Sequence, residues 1–248
     1  MTGKEKFMEL RDMTVLVTGA NRGIGKAFVE RLASGGVKHV YAGARDLTSL
    51  AGLLTELPGT VTPLRIDITD PQSVADAAAR ATDVNVLVNN AGILRGGGVT
   101  SRETFDGARE EMEANYFGLL TMSRAFAPAL IANAPSAIVN VLSILGLIGI
   151  PRAATYSASK AAALSATRAI RAELSPEGVR VIGVMPGFVD TDMVANLPGE
   201  KISPQTVVDA ALEAISSGNE DVYPGARAAH LAQAFFSDYK SLEKSLAG

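Results

Sequence analysis

Short apolar runs alternate along the chain with stretches in which apolar residues recur at helical spacing. The runs are continuous in Val, Leu, Ile and Ala, a pattern typical of strands that are covered on both faces. Predicted strands lie at 14–20, 37–45, 60–69, 83–92, 136–143, 179–187 and 220–223. Predicted helices lie at 23–34, 103–133, 155–174 and 204–217, and another begins at Asp70-Pro71, with Asp70 as its N-cap. Strands that alternate with helices predict a doubly wound parallel sheet, a Rossmann-like α/β fold with helices on both faces.

No linker, internal repeat or low-complexity tract interrupts this alternation over the 248 residues. With 47% apolar residues, the chain is long enough to bury a substantial core. We therefore predict a single domain over 1–248, with a polar N-terminal segment at 1–12 and a helical extension at 226–248.

Charge and composition narrow the classes of function. The formal net charge is −3 and the charges are scattered, so we do not expect nucleic acid as a partner. The chain has no cysteine, and its two histidines, His39 and His230, are far apart, so we expect no metal site. No apolar run reaches the ~18 residues of a membrane span. The polar N-terminal sequence does not resemble a secretory signal, and we expect a soluble, cytoplasmic protein without a membrane partner.

A glycine-rich turn, "TGANRGIG" at 18–25, follows the first predicted strand and opens the first helix. Its spacing is Gly19-x-x-x-Gly23-x-Gly25. Glycines permit a tight turn and close backbone approach, and a helix N-terminus offers free N–H groups and a positive dipole end. This combination suits a pyrophosphate. A strand-to-helix turn that only needs unusual dihedral angles is the alternative interpretation.

The end of the second predicted strand favours NADP(H) as the cofactor. An acidic residue there would bind a ribose 2′-hydroxyl, whereas an arginine favours a 2′-phosphate. The strand ends in Arg45, and Arg22 in the glycine turn is placed to reach the same phosphate. Asp46 is interpreted as a helix N-cap, since a carboxylate aimed at the phosphate would repel it. The alternative is that both arginines are simply solvated.

Tyr156 and Lys160 occupy positions i and i+4 of a predicted helix and therefore share one face. An ammonium group near a phenol stabilises the phenolate, and we expect Lys160 to lower the pKa of Tyr156. Ser143 ends the fifth predicted strand, where the carboxyl ends of parallel strands line a ligand crevice. Taken alone, this spacing also fits a packed tyrosine beside a solvated lysine.

The motifs become specific in combination. "TGANRGIG", "NNAG" (89–92), Asn115, Ser143, "YSASK" (156–160) and "PG" (186–187) followed by Thr191 appear in this order. The chain thereby resembles the short-chain dehydrogenase/reductase family, in its single-domain, NADP(H)-preferring carbonyl reductase type, over about residues 12–225.

The resemblance implies roles for individual residues. The catalytic set would be Asn115, Ser143, Tyr156 and Lys160, with Asn115 perturbing the long helix and holding a water beside the lysine. The cofactor set would be Gly19, Asn21, Arg22, Gly23, Ile24, Gly25, Arg45, Asp67, Ile68, Asn89, Ala91, Gly92, Tyr156, Lys160, Pro186, Gly187, Val189 and Thr191.

The expected reaction is reversible reduction of a ketone or aldehyde to an alcohol. Ser143 and Tyr156 would donate hydrogen bonds to the substrate oxygen, which strengthen as that oxygen becomes alkoxide-like. A sugar-nucleotide epimerase or dehydratase is one alternative, although such enzymes usually carry a larger C-terminal substrate domain. A non-catalytic dinucleotide sensor is another, but it would not need Ser143, Tyr156 and Lys160 together.

The sequence says less about the substrate. The apolar stretch "ILGLIGIPRAAT" after Ser143, with Phe188, Met193 and Leu197, suggests a hydrophobic carbonyl or alcohol, with core packing as the alternative. A short loop between Thr191 and Pro204 predicts an open pocket. Arg95 and Arg152 are interpreted as solvated loop residues, with contact to an anionic group as the alternative.

We also expect a homodimer or homotetramer. The helices predicted at 103–133 and 155–174 correspond to the dimer surface usual in the family that the chain resembles. The C-terminal sequence lacks the glycine-rich strand ending common among tetrameric members, which makes a tetramer doubtful. Leu231, Phe235 and Phe236 in that region are predicted either to pack on their own chain or to form a dimer contact.

Overall fold

The computed structural model describes residues 8–100 and 105–246. Within them a seven-stranded sheet lies at the centre, and every strand pairs with its neighbours in parallel. The strands are β1 (Thr14–Thr18), β2 (His39–Ala44), β3 (Val61–Arg65), β4 (Val86–Asn89), β5 (Ser136–Val141), β6 (Val179–Val184) and β7 (Asp221–Val222). Their order is β3-β2-β1-β4-β5-β6-β7, which confirms the predicted doubly wound sheet.

Helices cover both faces of the sheet. They are α1 (Gly23–Ser34), α2 (Ala51–Glu56), α3 (Pro71–Arg80), α4 (Phe105–Met112), α5 (Gly118–Ala132), α6 (Ala154–Leu174), α7 (Pro204–Ser217) and α8 (Ala226–Leu246). Val15 and Val17 of β1 pack into a core with α1, α2 and α7, whereas Leu16 packs into a second core with α3, α5 and α6. Alternate side chains of one strand thus enter opposite layers, which is why the strand reads as a continuous apolar run.

Several strands are shorter than predicted because the chain turns off the sheet before its apolar run ends. β1 stops at Thr18, whose Oγ1 accepts hydrogen bonds of 3.0 Å from the backbone N–H groups of Asn90 and Ala91. β3 stops at Arg65, and the sequence that follows forms a turn in which Asp67 Oδ1 accepts from the backbone N–H of Thr69 at 3.0 Å. These turns build the site at the carboxyl edge of the sheet.

The long helix predicted at 103–133 is interrupted. Residues 103–104 lie outside the described part of the chain, and between α4 and α5 the segment Glu113–Phe117 forms a π-helical turn. Asn115 lies inside this turn and is buried. The expected perturbation of the helix at Asn115 is therefore present, and such turns occur often at functional sites.

Two predicted caps are confirmed. Asp70 accepts a hydrogen bond of 3.0 Å from the backbone N–H of Gln72, and Pro71 follows at the first position of α3. Asp46 accepts one of 2.9 Å from the backbone N–H of Thr48, at the start of a short 3₁₀ turn before α2. Asp46 is thus engaged as a cap, as the sequence indicates.

The C-terminal region folds back onto the sheet edge. Of the predicted segments 1–12 and 226–248, residues 1–7 and 247–248 lie outside the described part. Ala228, Ala232 and Leu242 of α8 are buried in a small cluster with Ile144 and Ile148. Leu231 and Phe235 are partly buried against this cluster, whereas Phe236 remains 63% exposed. Among the helices in the described residues, none is both long and apolar enough to cross a membrane.

Candidate active site

A single cavity of about 870 Å³ runs along the carboxyl edge of the sheet. The loops that follow β1 to β6 border it, as expected for a ligand crevice in a parallel α/β sheet. Most of the residues predicted from the sequence line it: Gly19, Asn21, Arg22, Gly23, Ile24, Arg45, Asp67, Ile68, Ala91, Gly92, Ser143, Tyr156, Lys160, Pro186, Gly187, Val189 and Thr191. Gly25, Asn89 and Asn115 do not line it.

The glycine turn after β1 needs glycine for two different reasons. Gly19 and Gly23 have φ angles of +65° and +53°, in the left-handed region that other residues rarely adopt. Gly25 has an ordinary φ, but a Cβ there would collide with the carbonyl oxygen of Gly19 and lie 2.6 Å from Asn90 Nδ2. Gly25 therefore lets α1 pack against the turn, and its neighbours border the cavity.

Arg22 and Arg45 lie near the glycine turn, both exposed and both lining the cavity. Arg22 Nη1 lies 3.4 Å from Asp192 Oδ2, a weak ion pair on the surface. Asp46 also lines the cavity, where its carboxylate accepts hydrogen bonds from Thr48 that lower the pKa of the carboxyl group. The arrangement leaves two guanidinium groups at the end of β2 and the start of α1.

The side chain of Asn89 is buried between the sheet and the helices and does not line the cavity. Its Nδ2 donates to Asn140 Oδ1 at 2.9 Å and to Ser123 Oγ at 3.2 Å. Asn140 in turn donates to Thr167 Oγ1 at 2.9 Å. This buried polar network joins β4 and β5 to α5 and α6. Asn89 thus steadies the central sheet, and the structure does not place its side chain where a cofactor would pass.

Ser143, Tyr156 and Lys160 meet on the cavity wall. Ser143 follows β5 and accepts a hydrogen bond of 3.1 Å from the backbone N–H of Leu145, which turns the chain toward α6. Gly146 allows this approach, because a Cβ there would lie 2.9 Å from the carbonyl oxygen of Lys160. Lys160 Nζ lies 5.8 Å from the centre of the Tyr156 ring. All three side chains are buried.

The electrostatics of the pair differ from the sequence-based expectation. Burial raises the pKa of Tyr156; hydrogen bonding with Ser143 lowers it, and the negative charge of Glu111 raises it further. Burial also lowers the pKa of Lys160 to about 8. The net direction is opposite to the lowering expected from Lys160, because desolvation of the phenolate is the largest effect on the pKa of Tyr156. Tyr156 is a neutral phenol, a proton donor, at neutral pH.

Asn115 connects the helices around this group. Its Oδ1 accepts from the backbone N–H of Ile93, and its Nδ2 donates to the carbonyl oxygen of Ile93 and to Ser159 Oγ, each at 2.9 Å. Ser159 Oγ donates to the carbonyl oxygen of Tyr156 at 2.8 Å. The side chain thus positions the loop after β4 against α6, and its expected contact with a water beside Lys160 stays a prediction.

The part of the chain that carries the glycine turn, the serine after β5 and the tyrosine–lysine pair is matched by a known family. A family model described as short chain dehydrogenase matches residues 13–201. The chain belongs to the short chain dehydrogenase family. The resemblance inferred from the sequence motifs is confirmed.

Solved and curated members of the family align over most of the chain. A short chain dehydrogenase from Burkholderia cenocepacia, solved in complex with NADP, is 45% identical, with a TM-score of 0.92 over 97% of this chain and 100% of that one. The 1-deoxy-11-beta-hydroxypentalenate dehydrogenase of Streptomyces avermitilis is 35% identical over 89% of this chain and 87% of its own. The 3-oxoacyl-[acyl-carrier-protein] reductase of Synechocystis is 32% identical over 78% of this chain and 81% of its own.

The sequence motifs did not indicate the buried carboxyl group of Glu111. Glu111 of α4 is fully buried, and its Oε1 accepts from the backbone N–H groups of Arg95 and Gly96 at 2.7 and 2.9 Å. Its Oε2 has no hydrogen-bond partner among the described residues. Gly97, next in the same loop, exchanges backbone hydrogen bonds of 3.0 Å with Arg152 and Ala154 at the start of α6. The spacing of Glu111 could have indicated a place near the site, since it lies one helical turn before Asn115.

The far half of the cavity, beyond Tyr156, has largely apolar walls. Ile144, Leu145, Ile148 and Ile150 line it, as do Phe188, Met193 and Leu197. This placement agrees with the predicted apolar wall, although Ile144 and Ile148 also pack in the core. The sequence did not indicate that α8 contributes Arg227, Leu231 and Leu246 to the lining. The loop after Thr191 is fastened where the backbone N–H of Ile202 donates to the carbonyl oxygen of Phe188 at 3.0 Å.

Proposed function

We propose that this protein is an NADP-dependent oxidoreductase that interconverts a ketone or aldehyde with the corresponding alcohol. The observation that carries the proposal is the meeting of Ser143, Tyr156 and Lys160 on the wall of one cavity. The other end of the same cavity carries the glycine turn and two arginines, Arg22 and Arg45. A proton donor and residues suited to binding a dinucleotide therefore line the same cavity.

The residues present fit a phosphorylated dinucleotide. The positive φ angles of Gly19 and Gly23 shape a backbone cradle at the N-terminus of α1, where a pyrophosphate would be bound. Arg22 and Arg45 would hold a 2′-phosphate, and Asp67 and Ile68, which line the same cavity, would contact the adenine ring. The NADP complex of the relative from Burkholderia cenocepacia supports this choice of cofactor. When bound, the cofactor supplies the hydride.

The protein's own part in the reaction is to bind and polarise the carbonyl group. The Tyr156 hydroxyl, which burial keeps protonated at neutral pH, would donate a hydrogen bond and then its proton to the carbonyl oxygen. Ser143 would donate a second hydrogen bond to the same oxygen, which strengthens as negative charge develops. Lys160 would bind the nicotinamide ribose and stabilise the phenolate that remains after proton transfer.

The substrate class and the assembly state are part of the proposal. The apolar lining beyond Tyr156 favours a hydrophobic carbonyl compound or alcohol. The homodimer or homotetramer expected from the sequence stays a prediction.

Replacing Tyr156 by phenylalanine tests the proposed reaction. The variant lacks only the proton donor, so we expect kcat to fall about 100-fold or more on any ketone that the wild type reduces. Binding of NADPH, followed by its fluorescence, should change little. Tyr239→Phe is the matched control, because that hydroxyl is on α8 and donates to Glu243. Unchanged reductase activity in Tyr156→Phe would show that the proposal is wrong.

A further inference from the structure

Charge is unevenly distributed along the cavity. Three carboxylates line it, and all lie toward the glycine turn: Asp46, Asp67 and Asp192, the last beside Arg22. The lining contributed by the loop after β4, by residues 144–153 before α6 and by α8 is largely apolar and carries Arg95, Arg152 and Arg227. No carboxylate of the described residues lines that part, so the substrate half of the cavity is apolar and positively charged.

Two of these three arginines have uncommitted guanidinium groups. Arg95 is paired, since its Nε lies 2.6 Å from Glu110 Oε2. Arg152 and Arg227 have no carboxylate or carbonyl acceptor among residues 8–100 and 105–246. Guanidinium groups that border a cavity without an anionic partner are suited to bind a carboxylate or phosphate in two-pronged geometry.

Both arginines are held at the rim. The carbonyl oxygen of Arg152 accepts a 3.0 Å hydrogen bond from the backbone N–H of Gly97, which fixes its backbone between the loop after β4 and the start of α6. The guanidinium carbon of Arg227 lies 5.3 Å from the ring centre of Phe188, and this ring also lines the cavity. This contact with the ring keeps the guanidinium group of the exposed Arg227 beside the cavity wall.

We propose that the natural substrate is an amphiphilic anion, an apolar ketone or alcohol whose carboxylate or phosphate binds Arg152 and Arg227. This inference rests on the proposed function and narrows its substrate class. The apolar walls would hold the hydrocarbon body near Tyr156, and the two cations would hold the charged end at the rim. Arg152 is exposed, as expected of a loop residue, and the proposal takes up the alternative that it contacts an anionic group.

Matched substrates test the charge requirement. A medium-chain keto acid, its methyl ester and its coenzyme A thioester share one reducible carbonyl group and differ in the anion that they present. We expect kcat/KM to favour the acid or the thioester over the neutral ester by about tenfold, with a preference that falls as salt is raised. Preference for the acid would indicate a carboxylate on the body, and preference for the thioester a phosphate on a carrier arm.

Arginine variants locate the effect. Arg152→Gln and Arg227→Gln should each reduce kcat/KM for the preferred anion about three- to tenfold and leave the ester nearly unchanged. Arg11→Gln is the control for loss of one positive charge, because Arg11 is exposed before β1 and pairs with Glu9. Equal kcat/KM for the ester and the anions would overturn the inference, as would a preference for the anion that both arginine variants retain. Either result would still be compatible with the proposed reductase activity.

A binding measurement separates this inference from the reaction itself. A saturated medium-chain fatty acid cannot be reduced, and its binding to the NADPH complex can be followed by the fluorescence of the nicotinamide. Weaker binding in both arginine variants than in Arg11→Gln supports the anion site without any turnover. Absence of reduction for every ketone tested, together with equal fatty-acid binding in all variants, would refute both the proposed function and the anion site.

Discussion

The ammonium group of Lys160 donates a 3.0 Å hydrogen bond to the carbonyl oxygen of Val141. This bond fastens α6 to the end of β5, two residues before Ser143, and so fixes the position of Tyr156 relative to Ser143. The ammonium group is buried, and desolvation lowers its pKa to about 8. Burial of the Lys160 ammonium group lowers the stability of the fold, but it places this group beside Tyr156.

Replacing Lys160 by methionine should separate stability from activity. Because the folded-state pKa is lowered, the unfolded chain binds more protons between pH 8 and 10.5, and the contribution of Lys160 to stability is smallest below pH 8. We expect Lys160→Met to be as stable as the wild type or about 1–2 kcal/mol more stable at pH 7. The wild type should then gain about 2–3 kcal/mol on the variant as the pH rises to 10.5.

Urea unfolding of both proteins at pH 7 and pH 10 measures this difference. Lys26→Met, at a partly exposed position of α1, controls for the general loss of one positive charge. Reductase activity should be lost in Lys160→Met at both pH values. Parallel stability curves for Lys160→Met and the wild type would contradict the proposed desolvation of the ammonium group.

The sequence predicted the fold because the sheet is buried on both faces. The central strands β1, β4, β5 and β6 therefore appear as largely apolar runs, and the helices between the runs set the parallel order. Strand ends were predicted too long, as at β1 and β3, since residues such as Gly19 and Ile66 are also apolar or small but belong to turns. Motif order placed Ser143, Tyr156 and Lys160 together, because a helix and the adjacent strand end must meet at one edge.

The remaining features depend on tertiary contacts that no local pattern encodes. The direction of the Tyr156 pKa follows from how completely the phenol is buried, and spacing to Lys160 says nothing about burial. Glu111 resembles other acidic residues of "REEMEA", yet it alone among these is fully buried against the loop after β4. Arg227 reaches the cavity only because α8 folds back over the sheet edge.

Arg45→Asp tests the choice between the two nicotinamide cofactors. Loss of a charge-assisted contact, with a carboxylate in its place, should weaken NADPH binding by about 2 kcal/mol or roughly 30-fold and leave NADH binding nearly unchanged. Arg65→Asp makes the same change of charge at the end of β3, on a side chain that does not line the cavity. Fluorescence titration with both cofactors measures the effect. Equal weakening for NADH and NADPH would rule out a 2′-phosphate contact.

Gly25→Ala tests the packing role of the third glycine of the turn. A Cβ there meets the carbonyl oxygen of Gly19, which is backbone and cannot move aside alone. We expect a loss of about 1–3 kcal/mol in the free energy of unfolding, together with weaker NADPH binding, because the cradle is displaced. Gly52→Ala, on α2 with open space around it, should instead stabilise the protein by about 0.5–1 kcal/mol. Thermal melts that show the same sign for both variants would contradict this account.

Glu111 offers a test of how the loop after β4 is held. Glu111→Ala leaves the buried N–H groups of Arg95 and Gly96 without their acceptor, which should cost about 2–3 kcal/mol and raise KM as the loop at the cavity wall loosens. Glu111→Gln keeps an acceptor oxygen, and its stability and KM should therefore be close to those of the wild type. Such a rescue relative to Glu111→Ala would show that the hydrogen bonds position the loop, since a loss of packing alone would not depend on the acceptor.

The same pair of variants reveals the charge of Glu111 at the catalytic tyrosine. Its carboxylate raises the pKa of Tyr156, so the neutral glutamine should lower that pKa. The charged or titratable groups that face the phenol here are Glu111 from α4 and Lys160 from α6. Carbonyl reduction needs the protonated phenol, and the part of the alkaline decline that follows ionisation of Tyr156, above the titration of Lys160 near pH 8, should therefore lie at lower pH in Glu111→Gln than in the wild type. Profiles of kcat/KM against pH measure this shift. Glu110 is an exposed neighbour that pairs with Arg95, and Glu110→Gln should leave the pH profile of kcat/KM unchanged. An equal shift of the profile in both variants would show that the effect comes from net charge and not from Glu111.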